Sequence, residues 1–134
     1  MNPAMLDTDI LSEFFRDNSK VVSHVDGHLK EYGFISLSII TYYEILNGLL
    51  YKDAKKQLRR FNDFAKLNKI IPLTIRAAKI AAGIYADHRT KGKIIGHTDT
   101  LIAGIAIANK LILVTNNTAH FDTVKGLEIS NWMK

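Results

Sequence analysis

Short apolar runs alternate with longer segments of helical periodicity along the chain. Five runs have the length of β-strands; they cover residues 4–6, 34–37, 70–73, 111–114 and 127–129. Segments with helical spacing lie between most of them. This alternation predicts an α/β fold with a central, mainly parallel sheet flanked by helices.

The clearest helical signal follows Ser38, a residue type that favours helix N-caps. Apolar side chains then recur at helical spacing, at Ile39, Tyr43, Leu46 and Leu50. Further helices are predicted near Ile10 and over residues 54–65, 75–88 and 99–109. The aromatic residues of the central segments are expected in the core or in a dimer interface; they are Tyr42, Tyr43, Phe61 and Phe64.

Composition favours one soluble domain over residues 1–134. The 134 residues are 47% hydrophobic and include no cysteine, which excludes a disulfide scaffold and a thiolate metal site. The first acidic residue, Asp7, comes too early for a secretory signal, and the most apolar stretch, 101–114, is too short to span a bilayer. We therefore expect a cytoplasmic protein without membrane contact. The net charge of +5 suggests a polyanionic partner.

Acidic and polar residues stand where the predicted strands end and helices begin. Asp7 ends the first apolar run, and Thr115 and Asn117 follow the fourth. Asp99 opens the apolar helix, and Glu44 lies within the helix after Ser38. Because ligands of parallel sheets bind outside the carboxyl ends of the strands, these acids are expected to converge at one edge of the sheet.

Each acid alone also has a structural interpretation. Asp99 and Asp7 are suited to cap their helices, with Asp9 as an acid of the first turn. Glu44 is spaced with Thr41 and Asn47 as on a solvent-facing helical stripe.

Together the carboxylates predict a metal site. Closely placed carboxylates repel one another, and a cation makes such a cluster tolerable. Oxygen ligands without sulfur point to Mg²⁺, with Mn²⁺ as a substitute. Such an ion could activate water to attack a phosphodiester, which predicts hydrolysis of RNA or DNA.

Four segments in order resemble the motifs of PIN-domain ribonucleases, particularly the VapC-like toxins of bacterial toxin–antitoxin pairs. The opening motif lies at residues 5–13, with the sequence Met-Leu-Asp-Thr-Asp at its start, and the second lies at 35–48 around Glu44. The third begins at Asp99, the fourth covers 113–121, and the ending at 126–132 is also similar. The resemblance covers nearly the whole chain and implies a PIN-like α/β/α sandwich.

The same resemblance implies a metal-dependent endoribonuclease. Asp7, Glu44 and Asp99 match the acids that surround the magnesium; Asp7 and Asp99 are expected to bind it directly and Glu44 partly through water. Two departures stand out. Asp9 replaces the usual asparagine, and the fourth motif lacks a carboxylate, which leaves a three-acid site supported by Thr8, Asp9, Thr115 and Asn117, or a fourth acid at Asp122.

The family also implies the partners. They are a VapB-like antitoxin whose C-terminal segment blocks the active site, operator DNA bound only through that antitoxin, an RNA substrate such as tRNA, and a second copy in a homodimer. Basic side chains are candidate contacts to the RNA backbone or simply solvated; those in question are Lys55, Arg59, Arg60 and Lys93.

Two other classes are weighed against the nuclease. Asp7-Thr8-Asp9 also resembles the start of haloacid-dehalogenase-like phosphatases, in which the first aspartate is the nucleophile, but that family leaves Glu44 unexplained. A catalytically degenerate PIN-like binding module would keep the fold and lose the metal, and the missing fourth acid is compatible with it.

Overall fold

Five short strands form a single parallel sheet. The computed structural model describes residues 2–134. In chain order the elements are β1 (Ala4–Leu6), α1 (Thr8–Phe15), α2 (Ser19–Tyr32), β2 (Ser36–Ser38), α3 (Ile39–Tyr51), α4 (Lys55–Leu67), β3 (Lys69–Ile71), α5 (Ile75–Thr90), α6 (His97–Ala108), β4 (Ile112–Val114), α7 (Thr118–Phe121) and β5 (Ile129–Ser130). Among residues 2–134, no helix combines the length and apolarity needed to cross a membrane.

The strand order places β1 at the centre of the sheet. The order is β3-β2-β1-β4-β5, and every neighbouring pair is parallel. Met5 of β1 is in register with Ser36 of β2 on one side and with Leu113 of β4 on the other. The chain therefore builds the sheet outward in one direction and then in the other. In such sheets a crevice opens at the carboxyl ends of the strands where the direction changes, which here are β1 and β4.

Alternate side chains of β1 enter two separate cores. Ala4 and Leu6 pack with side chains of α1, α2, α3 and α4, whereas Met5 packs mainly with side chains of α5, α6 and α7. This alternation follows from the two-residue period of a strand. Both faces of the sheet are covered by helices, so the expected α/β/α sandwich is confirmed.

Most predicted elements are present, with shifted ends. The strand 4–6 is found as predicted, and the other four strands lie one or two residues from their predicted positions. Ser38 caps α3 as expected, with its hydroxyl accepting from the backbone N–H of Thr41 at 3.0 Å. The spacing of apolar residues did not predict α2. This helix begins after the N-cap Asn18 and ends at Gly33, which has a left-handed conformation.

A hydrogen bond to the side chain of His28 connects α2 to the central strand β1. Its Nε2 accepts from the backbone N–H of Ala4 at 3.0 Å, so its Nδ1 is the protonated nitrogen and donates to the carbonyl of Phe34, also at 3.0 Å. Burial lowers the pKa of His28 and favours this neutral form.

The packed face of α3 differs from the predicted one. Ile39, Tyr43 and Leu50 are exposed, by 37%, 65% and 58%. Leu46 packs on the core as its spacing predicted, but its packed neighbours are Tyr42, Ile45 and Leu49. Because α3 is apolar around most of its circumference, the spacing alone could not choose the buried face.

Helices α5 and α6 cross at very short range. A Cβ atom added at Gly104 of α6 would lie 2.5 Å from the carbonyl oxygen of Ala77 and 3.0 Å from the Cβ of Ala81, both on α5. Only glycine permits this approach. The contact fixes α6, and with it the first turn that carries Asp99.

We expect Gly104→Ala to destabilise the fold by about 1–3 kcal/mol, because backbone atoms must move to admit the methyl group. Thermal unfolding followed by circular dichroism measures the effect. Gly83→Ala in α5 is the matched control, since nothing lies within 4 Å of a Cβ there, and it should leave stability equal or slightly higher. Equal melting temperatures for the two variants would show that the crossing is not tight.

Candidate active site

The predicted polar residues meet where β1 and β4 end. Asp7 directly follows β1, and Thr115 directly follows β4. The backbone N–H of Asp7 donates to the carbonyl of Val114 at 2.9 Å, which continues the pairing of the two strands beyond their last residues. The site therefore lies at the crevice that the strand order creates.

Asp7 is both a helix cap and a buried acid. Its Oδ1 accepts from the backbone N–H of Thr8 at 2.8 Å, and its Oδ2 accepts from the Thr115 hydroxyl at 2.8 Å. The residue is only 5% exposed. The capping interpretation is thus correct for Asp7, but capping does not explain why the carboxylate is buried.

The environment of Asp7 disfavours its charge. Burial is the main cause that raises its pKa to about 6, and the charge of Asp9 adds to it. The hydrogen bond from Thr115 lowers the pKa of Asp7, whereas repulsion by the charge of Asp99 raises it slightly. Within residues 2–134, no Lys or Arg forms an ion pair with Asp7. Asp7 therefore has acidic neighbours and no basic ion-pair partner among the described residues.

Asp9 ties the loop after β4 to the start of α1. Its Oδ1 accepts from the backbone N–H of Ile10 at 2.7 Å, and its Oδ2 accepts from the backbone N–H of Asn116 at 2.9 Å. Thr115 strengthens the loop, because its hydroxyl oxygen also accepts from the backbone N–H of Asn117 at 3.0 Å. An asparagine has one side-chain oxygen and could not use two oxygens in this way. Aspartate at position 9, in place of the asparagine usual in the resembled family, therefore allows one side chain to hold both segments.

Glu44 faces the site and not the solvent. Its Oε1 accepts from the Thr8 hydroxyl at 2.6 Å, and that hydroxyl lies 3.1 Å from the hydroxyl of the buried Thr41. Glu44 is half-buried, whereas Asn47 is exposed. The solvated-stripe interpretation is wrong for Glu44, because the side chain is directed inward by Thr8.

Asp99 lies in the first turn of α6 but does not cap it. The N-cap is Gly96, and no side chain caps the helix there. Asp99 is partly buried, and its Oδ2 lies 3.4 Å from Nδ1 of His120. His120 belongs to α7, in the fourth motif, which lacks the carboxylate that many members of the resembled family have. Asp122, the candidate fourth acid, is exposed just after α7.

The predicted acids influence one another through charge and through one hydrogen-bonded link, but they do not form a ready set of ligands. Asp7 is coupled to Asp9 and Asp99 through their charges, and Glu44 is linked to the residue after Asp7 through Thr8. In the part of the chain that the structure describes, no three His, Asp or Glu side chains already form a closed set of metal ligands.

The predicted RNA contacts are dispersed. Lys55 and Arg59 are exposed on α4, and Lys93 is exposed between α5 and α6. Arg60 alone lines a groove between α1, α3 and α4, where it donates to the carbonyl of Phe15 at 2.9 Å. Thr8 and Glu44 line the same groove. No motif in the sequence indicates this groove, because its walls come from three separate helices.

Comparison with known proteins agrees with this geometry. The family model of the PIN domain matches residues 4–127. The tRNA(fMet)-specific endonuclease VapC of Shigella flexneri is 30% identical over 129 residues, which are 96% of each chain. The VapC ribonuclease Y4jK of Sinorhizobium fredii is 29% identical over 95% of each chain.

Solved VapBC structures superpose closely on this chain. The structure of VapBC2 from Rickettsia felis bound to a promoter DNA fragment matches with a TM-score of 0.86 and 27% identity, over 96% of this chain and 98% of that chain. DNA-bound VapBC from Salmonella typhimurium matches with a TM-score of 0.88 and 25% identity, over 98% and 99%.

The chain belongs to the PIN-domain family and, within it, to the VapC ribonucleases, the endoribonuclease toxins of toxin–antitoxin pairs. The resemblance of the four motifs is therefore confirmed. The phosphatase alternative is wrong, because the whole sandwich and its motifs are those of a PIN domain.

We expect Asp7→Asn to raise stability in chelating buffer at pH 7 by about 1–3 kcal/mol. The folded wild type holds the proton on Asp7 up to about pH 6, whereas the ordinary pKa is 3.8. Ionisation of Asp7 thus lowers the free energy of unfolding of the wild type fully above pH 6, and this loss of stability disappears as the pH falls towards 3.8. The gain of the variant should disappear over the same interval in urea titrations. A variant that is less stable at pH 7 would mean that capping outweighs the buried charge.

Proposed function

We propose that the chain cleaves RNA with a Mg²⁺ ion, for which Mn²⁺ can substitute, held by Asp7 and Asp99 with Glu44 acting partly through water. The single observation that carries this proposal is the buried Asp7 carboxylate, which has acidic neighbours and no basic ion-pair partner within residues 2–134. An RNA-cleaving toxin acts where RNA is present, so we propose a cytoplasmic location.

The donor set fits a hard divalent cation. The acids offer oxygen atoms only, and the chain has no cysteine. Burial and, after it, repulsion by Asp9 raise the pKa of Asp7, and a cation bound there would offset both effects. When bound, the ion neutralises charge on the phosphodiester and activates a water molecule for attack.

The chain itself positions these groups. Thr115 and the N–H of Thr8 hold both oxygens of Asp7 in fixed directions. The Thr8 hydroxyl holds Oε1 of Glu44, while Oε2 accepts no hydrogen bond within residues 2–134 and can orient a water. Asp9 and Asn117 are supporting residues, because their bonds keep Thr115 in place against Asp7.

We expect the purified chain to cleave total RNA and tRNA in Mg²⁺ or Mn²⁺ and not in EDTA. Asp7→Asn and Asp99→Asn should each lower the rate by about 100-fold or more while remaining folded, because losing a ligand charge weakens metal binding far more than packing. Gel analysis of the RNA fragments measures this. The Shigella relative makes tRNA(fMet) a sensible first defined substrate.

The matched control for these variants is Asp26→Asn, since Asp26 is exposed on α2. It should cleave at the wild-type rate. Absence of cleavage by the unmodified chain in either metal would favour the degenerate binding module. Full activity of Asp7→Asn would refute the metal-site assignment.

The proposed protein partner is a VapB-like antitoxin that blocks the active site. Solved relatives are VapBC and FitAB complexes, and these three are bound to DNA. Operator DNA would accordingly be contacted through the antitoxin.

We also propose a homodimer in which the exposed apolar face of α3 is buried. Ile39, Tyr43 and Leu50 supply that face. Tyr43→Glu should convert the dimer to a monomer in size-exclusion chromatography with light scattering, because a charge in the interface is costly. Ile94→Glu is the control, since Ile94 is fully exposed on a different segment. A dimer that persists in Tyr43→Glu would exclude this interface.

A further inference from the structure

The C-terminal segment 129–133 holds the loop that follows β4. The backbone N–H of Thr115 donates to the carbonyl of Ser130 at 2.9 Å. One residue further along both segments, Nδ2 of Asn131 donates to Oδ1 of Asn116 at 3.0 Å. Asn116 lies beyond the last residue of β4 that pairs with β5, so this side-chain bond extends the connection past the end of the sheet.

The same loop carries the groups that hold Asp7 and Asp9. The Thr115 hydroxyl donates to Oδ2 of Asp7 at 2.8 Å, and the backbone N–H of Asn116 donates to Oδ2 of Asp9 at 2.9 Å. Asn116 is therefore held from two sides, by Asp9 through its backbone and by Asn131 through its side chain. A shift of this loop would move the Thr115 hydroxyl away from the buried carboxylate.

Asn131 is itself fixed in place by its neighbours. Its Oδ1 accepts from the backbone N–H of Met133 at 2.9 Å. Because a backbone N–H can only donate, its partner must be the oxygen, and the side-chain amide of Asn131 is thereby oriented with Nδ2 toward Asn116. Trp132, the next residue, is only 8% exposed and stacks on His24 of α2, with ring centroids 5.4 Å apart. The segment is thus anchored on α2.

We propose that Asn131 is a positioning residue for the reaction, which keeps Thr115 against Asp7 by way of Asn116 and thereby raises the affinity of the site for its cation. This inference rests on the proposed function. Removal of groups that orient metal ligands typically lowers metal affinity or activity by about 10–100-fold. The Asn131–Asn116 bond is exposed and lies one step further from the ligand, so we expect an effect at the lower end of that range.

Two substitutions remove this bond from opposite sides. Asn131→Leu removes the donor and Asn116→Ala removes the acceptor, whereas the backbone N–H of Asn116 that Asp9 binds is kept. Since both remove the same bond, the double variant should lose no more affinity than either single variant. The matched control is Asn109→Leu, which removes a hydrogen bond from an asparagine Nδ2 to the carbonyl of Ile105 at the C-terminal end of α6, away from the site.

The experiment measures Mn²⁺ binding from the electron paramagnetic resonance signal of the free ion, together with melting temperatures and with kcat and KM on tRNA. We expect Asn131→Leu and Asn116→Ala each to weaken Mn²⁺ binding about tenfold and to lower kcat at limiting Mn²⁺. The KM for tRNA should not change, because the bond acts on the cation site. Asn109→Leu should leave Mn²⁺ binding and kcat unchanged, even where it lowers the melting temperature.

Asn131→Asp is the conservative variant that should restore binding. One carboxylate oxygen can accept from the Met133 N–H, and the other can accept from the Asn116 amide once that amide has turned its Nδ2 toward it. The new negative charge could also attract the cation directly. Adding Asn116→Ala to Asn131→Asp separates the two effects, and it should abolish the rescue.

Unchanged Mn²⁺ affinity in Asn131→Leu and Asn116→Ala would overturn the proposal. An equal loss of affinity in Asn109→Leu would also overturn it, as would a failure of Asn131→Asp to restore binding or a rescue that survives Asn116→Ala. Failure of the proposed function is seen separately, as an unmodified chain that binds no Mn²⁺ and cleaves no RNA in Mg²⁺ or Mn²⁺.

Discussion

The buried carboxylate at the end of the central strand determines how the rest of the site is built. Asp7 follows β1, which has a strand on each side, and it is buried at the start of α1. A charge in this position is unfavourable unless hydrogen bonds and a cation compensate it. The Thr8 N–H and the Thr115 hydroxyl supply the hydrogen bonds. The family's metal chemistry supplies a physical reason for retaining the charge.

Much of the architecture could be predicted from the chain, because strand-length apolar runs and helical spacing are local properties. The edge of the sheet where the acids were expected to lie followed from the rule for parallel sheets, whereas the order of the strands came only from the structure. The buried face of α3 could not be predicted, since Ile39, Tyr43 and Leu50 are as apolar as the side chains that do pack. Which face is covered depends on neighbours that are distant in the sequence.

In the candidate site, too, the residues could be predicted from local sequence, whereas their contacts could not. Asp7, Glu44 and Asp99 were found by motif, and the structure gives Glu44 and Asp99 contacts that their spacing does not reveal. The proximity of His120 to Asp99 depends on how α7 packs beside α6. The groove between α1, α3 and α4 was not foreseen, because no short stretch of sequence contains more than one of its walls.

The two outer strands limit how the protein can associate. β3 has three residues and begins with the exposed Lys69, and β5 has only two residues. Such short edges, one of them with a lysine, give an incoming strand few backbone groups to pair with. Extension of the sheet from one molecule to the next is thereby discouraged, which protects a chain of this apolar content from edge-to-edge aggregation. Recognition by other macromolecules must then rely on helical surfaces.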